Sequence, residues 1–387
     1  MPDARIAFRP FGDQLAFFRR KINVPTARWD DLRLGDHAHG FMVAGLARQD
    51  VLNDLREAIV KAQQGETLAD FRKRFDDIVR GRWEGFTGDG SKKGRAWRTR
   101  IIYQTNMRTS YMAGRWETLR TFPFLQYNHH TIANPRENHL AWDGLIIPIN
   151  DPWWTVHYPP NGWGCRCDAT GVSAQRLRAL GRQPDVAPAL IQGDPPPEWS
   201  YHVGEAARSL PVASAFGERV MQLPPAWRDI ALDDAQTRIT DDLIDWPALV
   251  RLVGQEAASA PTGISAPVGF LASAIVDGTT AARSAPLTAL IAASDTVAIA
   301  PALRQTSSLA DLIAGLPTRL AAADTSVYVS GDALWYVLAD GDRLLRYTFG
   351  IASRREADRV TANWLRSVDV VTASDLQGAQ LLSGPAR

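Results

Sequence analysis

Two cysteines in 387 residues are too few for a disulfide-stapled secreted scaffold. No apolar run reaches the 18 residues that a membrane-spanning helix needs, so no such helix and no membrane partner are expected. The first two dozen residues, MPDARIAFRPFGDQLAFFRRKINV, lack the apolar core of a signal peptide, and the chain is read as soluble and made inside the cell. Net charge is also missing: 43 basic residues against 42 acidic ones leave +1. That balance excludes a protein coated in positive charge for wholesale polyanion binding, though not a local basic patch. All but five of the basic residues are arginine, and no lysine follows Lys93. No histidine follows His202. The C-terminal part thus lacks the two commonest general bases.

What is present is ordinary globular material, 45% hydrophobic and 22% charged, in a chain long enough for two or three domains. Helical spacing runs from about Phe41 to Arg80, where Val43, Leu46, Val51, Leu55, Ile59 and Ala62 share a face. Gly65 and Glu66 interrupt, and Thr67 is placed to cap a helix whose stripe is Leu68, Phe71, Phe75, Ile78 and Val79. Residues 81–95 read as a glycine-rich loop, and a long helix follows from about Ala96 to Arg120. Between Tyr127 and Cys167, turn formers replace helical periodicity, and Trp142, Trp153, Trp154 and Trp163 fall within 22 residues. Short strands and loops clamped by large rings are expected there.

Eight prolines between Pro184 and Pro225 suggest a semi-rigid connector or an arm lying on a partner. Beyond about Thr237, weak helical signals appear at 287–293 and 308–320. Strands are expected at 326–329, 334–338 and 344–349, the last two forming a hairpin through Asp340-Gly341-Asp342. Arg355–Arg366 reads as helix and Val368–Thr372 as a closing strand. The fold class is α+β: a mostly helical N-terminal domain with a β- and loop-rich, tryptophan-packed insert, a proline-rich connector and a small α+β C-terminal domain. The expected boundaries are an arm at 1–34, domains at 35–175 and 237–387, and the connector at 176–236.

Three groups of residues could carry chemistry. His129, His130, His139, His157, Cys165 and Cys167 crowd the tryptophan-rich insert. Two thiolates and two imidazoles suit tetrahedral zinc, which nominates His139, His157, Cys165 and Cys167 for a structural ion. The C-x-C spacing is shorter than structural zinc sites usually use, and a disulfide between such close residues would be strained. Two buried cysteines with backbone-bonded histidines fit the pattern as well, as does a catalytic Cys–His pair, although no protease or transferase signature accompanies it. Apart from that candidate structural zinc, no cofactor is expected to be required.

The second group is basic. Residues 71–120 hold 13 basic side chains against five acidic ones, and Arg95, Arg98, Arg100, Arg108 and Arg115 nominate themselves for contact with phosphates or an acidic partner. No nucleic-acid-reading motif accompanies them. The third group, the aspartates at 229, 233, 234, 241, 242 and 245, lacks EF-hand spacing and reads as a solvated linker or helix face. His37 and His39 read as structural.

The stretches RTRIIYQTNMRTSYMAGRWETL and NPRENHLAWDGLIIPINDPWWTVHYPPNGWGCRC resemble the Mu F-like phage minor head protein family, also called phage head morphogenesis proteins. The resemblance rests on Arg136, His139, Gly144, Asp151, Pro159, Pro160, Asn161, Gly162, Cys165, Arg166 and Cys167, and extends over roughly residues 10–175. It implies a structural, non-enzymatic minor capsid protein of a tailed phage or prophage, made in the host cytoplasm and carried in the virion at the head interior or portal vertex. It further implies a role in head morphogenesis and in DNA packaging or ejection. The implied partners are the portal protein, other head proteins and packaged double-stranded DNA. An alternative is a DNA-binding head-interior protein. Another is a packaged effector whose C-terminal domain is a nuclease, in which Glu356, Arg354, Arg355, Arg359, Tyr328 or Tyr347 would have to serve.

Overall fold

In the computed structural model, residues 11–83, 90–130, 134–240, 265–282, 288–313, 315–357 and 359–387 are described. They divide into two units, residues 1–21 with 25–207, and residues 22–24 with 208–387. The fold is α+β.

The first unit is built on four helices: α1 (Gly12–Arg19), α2 (Gln49–Gln63), α3 (Leu68–Val79) and α4 (Lys92–Leu119). Thr67 starts α3 through a capping box in which Thr67 and Asp70 satisfy each other's free backbone N–H groups. Ser91 caps α4 by accepting from the Gly94 N–H at 2.9 Å. The expected stripes meet in one core, where Leu55, Ile59, Phe71 and Phe75 are fully buried. Val43 and Leu46 join that core from an irregular segment, because α2 begins only at Gln49. Helix α1 belongs to this packing and is no free arm: Phe17 and Phe18 are buried. A Cβ at Gly114 of α4 would lie 2.6 Å from the backbone N of Gln14, so only glycine lets the two helix backbones approach so closely.

A three-stranded antiparallel sheet completes the unit. Strand β1 (Phe124–Asn128) lies between β2 (Ile146–Pro148) and β3 (Asp168–Val172). Its register opposes Asn128 to Asp168. The residues just beyond that pair, His129 and Cys167, are thereby brought side by side.

The proline-rich stretch is folded rather than merely extended. It carries helices at Ala174–Ala179, Val203–Ala206, Leu210–Met221 and Pro225–Thr240. Within the first unit it returns to the tryptophan-rich insert: Asn138 Nδ2 donates to Asp194 at 2.6 Å, and Trp199 packs edge-on against Trp163.

The second unit is a mixed eight-stranded sheet with helices. Its strands are β4 (Ser265–Phe270), β5 (Leu290–Ser294), β6 (Ala298–Ile299), β7 (Ser326–Ser330), β8 (Ala333–Asp340), β9 (Arg343–Arg355), β10 (Val360–Val371) and β11 (Gln380–Ser383). They run in the order β11-β7-β8-β9-β10-β5-β4, with β6 paired to β10. The hairpin at Asp340–Arg343 forms as expected, with Gly341 in the left-handed region at φ 61°.

Two expected helices are strands instead. Arg355–Arg366 falls largely in β10, where Ala362, Asn363, Trp364 and Leu365 are buried in succession. Pairing and burial on both faces of a sheet outweigh the helix propensity of its alanine and arginine residues. Of the expected helix at 287–293, the last four residues lie in β5, whose five residues are all buried. Such a buried strand shows no alternation by which to tell it from a helix. Asn363 locks the parallel pairing of β10 with β5. Fully buried, it donates to the carbonyls of Thr288 and Leu290 at 2.8 and 2.9 Å and accepts from the Ala352 N–H at 3.1 Å.

Candidate functional site

The crowded insert folds as an aromatic cage around two cysteines. Trp142 lies 5.1 Å from Trp153 and 5.7 Å from Tyr127, centroid to centroid, and stacks on His139 at 5.3 Å. Backbone bonds hold the loops between these rings. Asp151 accepts from the Trp153 N–H at 2.9 Å and so opens the short helix Trp154–His157. The Gly144 N–H bonds the Tyr127 carbonyl at 2.9 Å from a left-handed position, φ 79°. Pro159 and Pro160, joined by a cis bond, and fully buried Asn161 follow; Asn161 donates to the His157 carbonyl at 2.8 Å. Gly162 leaves room for the Arg136 guanidinium, which would stand 2.7 Å from a Cβ there. Arg136 in turn donates to the Trp163 carbonyl at 3.0 Å. The loop then points Cys165 and Cys167 inward and Arg166 outward.

Three nominated ligand residues come together. His139 on the helix Glu137–Ala141, Cys165 and Cys167 are all buried, and their ligand atoms lie within 4.8 Å of one another. His139 Nδ1 stands 3.8 Å from Cys165 Sγ and 3.6 Å from Cys167 Sγ. The fourth nominee, His157, is elsewhere. Its Nδ1 faces the Trp153 carbonyl at 3.1 Å and its Nε2 the Asp194 carbonyl at 3.2 Å, and its ring stacks on Trp153. Burial holds its pKa below the ordinary imidazole value. His129 takes the place beside the cysteines, with Nδ1 3.4 Å from Cys167 Sγ. His130 instead meets Asp168 at 2.8 Å. On its far side His139 presents Nε2, buried and unbonded, to an Asp194 carboxylate oxygen at 3.7 Å. Asp194 carried no signal in the sequence beyond its place among the prolines.

The two thiols share their protons unequally. Hydrogen bonding from Cys167 and from His139 pulls Cys165 well below the usual thiol value. The Cys165 thiolate and burial push Cys167 upward. A buried donor set of soft sulfur and imidazole nitrogen is chemistry that holds a borderline-soft metal ion.

Four of the five nominated arginines are engaged inside the unit. Arg95 pairs with Asp76, and Arg98 donates to the Ala44 carbonyl while lying over the Trp83 ring at 5.1 Å. Arg108 donates to the carbonyls of Arg166 and Cys167 at 2.8 and 2.5 Å, and Arg115 to that of Ala169 at 3.0 Å. The last two fasten α4 to the cysteine loop. Arg100 is exposed, near exposed Lys92, Lys93 and Trp97 on the same helix. Of the aspartates, Asp234 is buried in an ion pair with Arg238 at 2.7 Å, and Asp233 accepts from Ser273 Oγ at 2.6 Å. Positions 241, 242 and 245 lie outside the described residues.

Of the nuclease candidates of the second unit, Tyr347 is fully buried and its hydroxyl donates to the Leu312 carbonyl at 2.9 Å, while Glu356 pairs with Arg354 at 3.3 Å in the open. A cavity of about 140 Å³ in that unit is walled mainly by apolar side chains, among them Ile239, Val268, Ile275 and Leu320.

Residues 49–170 match the family model described as Phage Mu protein F like protein. The putative capsid assembly protein F of Escherichia phage Mu is 32% identical over 188 residues, which is 45% of this chain and 43% of that protein. The Mu-like prophage FluMu F protein of Haemophilus influenzae (strain ATCC 51907 / DSM 11121 / KW20 / Rd) is 30% identical over 166 residues, 40% of either chain. The matches thus span less than half the length of these curated relatives. No solved structure matches the chain. The Mu F-like resemblance is borne out over 49–170, a segment that contains every motif residue from Arg136 to Cys167, whereas Asp194 lies beyond it.

Proposed function

We propose that this chain is a minor head protein of a tailed phage or prophage that acts in head morphogenesis. The observation that carries this reading is the Mu F-like segment 49–170, together with its likeness to the putative capsid assembly protein F of Escherichia phage Mu. A structural role suits the physics of the matched segment. Its motif residues spend their polar groups on backbone carbonyls and on one another, which builds a rigid platform rather than an open cleft.

The partners of this reading are other head proteins, with the portal vertex as the place of action and packaged DNA within reach. The surface left for them on α4 is the exposed group Lys92, Lys93, Trp97 and Arg100, an aromatic ring among cations. Among the described residues no helix is long and apolar enough to cross a membrane. A packaged nuclease is the second reading, and toxicity of the second unit on expression would favour it.

Quantitative mass spectrometry of gradient-purified particles, with DNA-free proheads alongside, tests the proposal. Low stoichiometry relative to portal in both fractions is expected. Absence from both, with abundant protein in the lysate, would overturn it.

A further inference from the structure

We propose that His139 Nδ1, Cys165 Sγ, Cys167 Sγ and the His129 ring form a structural zinc site that fastens the aromatic insert of the first unit. The donors are already spaced for it. Zn–S bonds of about 2.3 Å and Zn–N bonds of about 2.0–2.1 Å set a sulfur and a nitrogen ligand about 3.6 Å apart across a tetrahedral angle. The separations from His139 Nδ1 are 3.8 and 3.6 Å, and Cys167 Sγ stands 3.4 Å from His129 Nδ1. His129 lies outside the tight group of three, so its ring turns inward to close the fourth corner.

A purely hydrogen-bonded cluster explains the geometry less well. One nitrogen, His139 Nδ1, faces two sulfurs at nearly equal distance, and a single proton or lone pair serves only one of them. A cation at the centroid serves both. The back of the ring points the same way. Buried His139 Nε2 has no hydrogen-bond partner at 3.7 Å from Asp194, and a ligating histidine characteristically turns its other N–H to a carboxylate. Asn138 holds that carboxylate at 2.6 Å. Asp194 is therefore a positioning residue that orients His139 and does not itself bind the ion.

Strand register supplies the rest. The Asn128–Asp168 pair sets His129 beside Cys167, and Arg108 holds the backbone of that cysteine from α4. Zinc takes cysteine as thiolate, so uptake releases protons and weakens in acid.

The test is elemental analysis of the purified full chain after extensive dialysis, followed by cobalt(II) exchange. About one zinc per chain is expected, and the cobalt protein should show the intense visible bands of a tetrahedral thiolate centre. Cys165→Ser with Cys167→Ser abolishes both signals. Asp194→Asn, which leaves all four ligands in place, lowers zinc affinity about 10- to 100-fold, and His157→Gln retains the metal. Folded wild-type protein that keeps no zinc, gives no cobalt–thiolate bands and exposes two titratable thiols on unfolding would overturn the proposal. Retention of zinc by the double cysteine variant would also overturn it.

Discussion

The two units distribute chemistry very differently. The first holds all seven histidines, both cysteines and all five lysines, and its polar groups are tied to backbone carbonyls around a ring cluster. The second is a hydrophobic sheet whose buried polar residues, Asn363 above all, stitch strands together. The family match falls wholly in the first unit. An irregular insert needs specific polar and aromatic contacts to hold one shape, because its backbone groups cannot all pair within a sheet or helix. A sheet satisfies its backbone by pairing and tolerates almost any apolar filling. Specific residues therefore accumulate in the first unit and not in the second.

Two substitutions sharpen that contrast most strongly. Phe71→Ala deletes a fully buried ring that packs on Phe75 and Tyr103, at an expected cost of about 3–5 kcal/mol. Asn363→Ala removes the side-chain bonds to two carbonyls and one N–H inside the sheet, at a cost on the order of 2–4 kcal/mol. Hydrogen exchange localises the damage: residues 49–79 lose protection in the first variant and strands β5 and β10 in the second. Equal loss throughout the chain in both variants would break the contrast.

A smaller effect follows from His202. It stacks on Tyr158 at 4.0 Å, and its neutral Nδ1 accepts from the Glu205 N–H at 3.1 Å, capping the helix Val203–Ala206. Burial holds its pKa down at about 3. The unfolded chain binds a proton as pH falls below about 6.5, while the folded chain refuses it down to about 3. Stability is thus fully present above pH 6.5 and declines as pH falls through that window. His37 and His39, held near 4 and 3, act in the same direction. Chemical denaturation of His202→Gln between pH 7 and 4 should show a slope shallower by about one proton than the wild type. An unchanged slope would mean that the ring titrates normally.

Legibility from sequence followed the source of the order. Helices α2 to α4, the Thr67 cap and the hairpin at Gly341 were readable because local periodicity and turn chemistry create them. Strands β5 and β10 were not, since long-range pairing overrides propensity there. The site divides in the same way. His139, Cys165 and Cys167 stood out by residue type, but chain proximity favoured His157 over His129, 38 residues from Cys167. Only the pairing of β1 with β3 brings His129 in. Asp194 was invisible for the same reason, because it reaches the site by the return of a proline-rich strand of chain. The arginines of α4 looked like a docking face, yet a charge count does not register the carbonyls waiting for Arg98, Arg108 and Arg115.

If the segment matched by the Mu F-like model carries the chain into the head, the ratio of this protein to portal in purified particles assembled with full-length variants, measured by quantitative mass spectrometry, reports it. Cys165→Ser with Cys167→Ser then depletes the protein from particles, whereas Asn363→Ala leaves the ratio at the wild-type value. Normal incorporation of the double cysteine variant, with loss of Asn363→Ala, would contradict it.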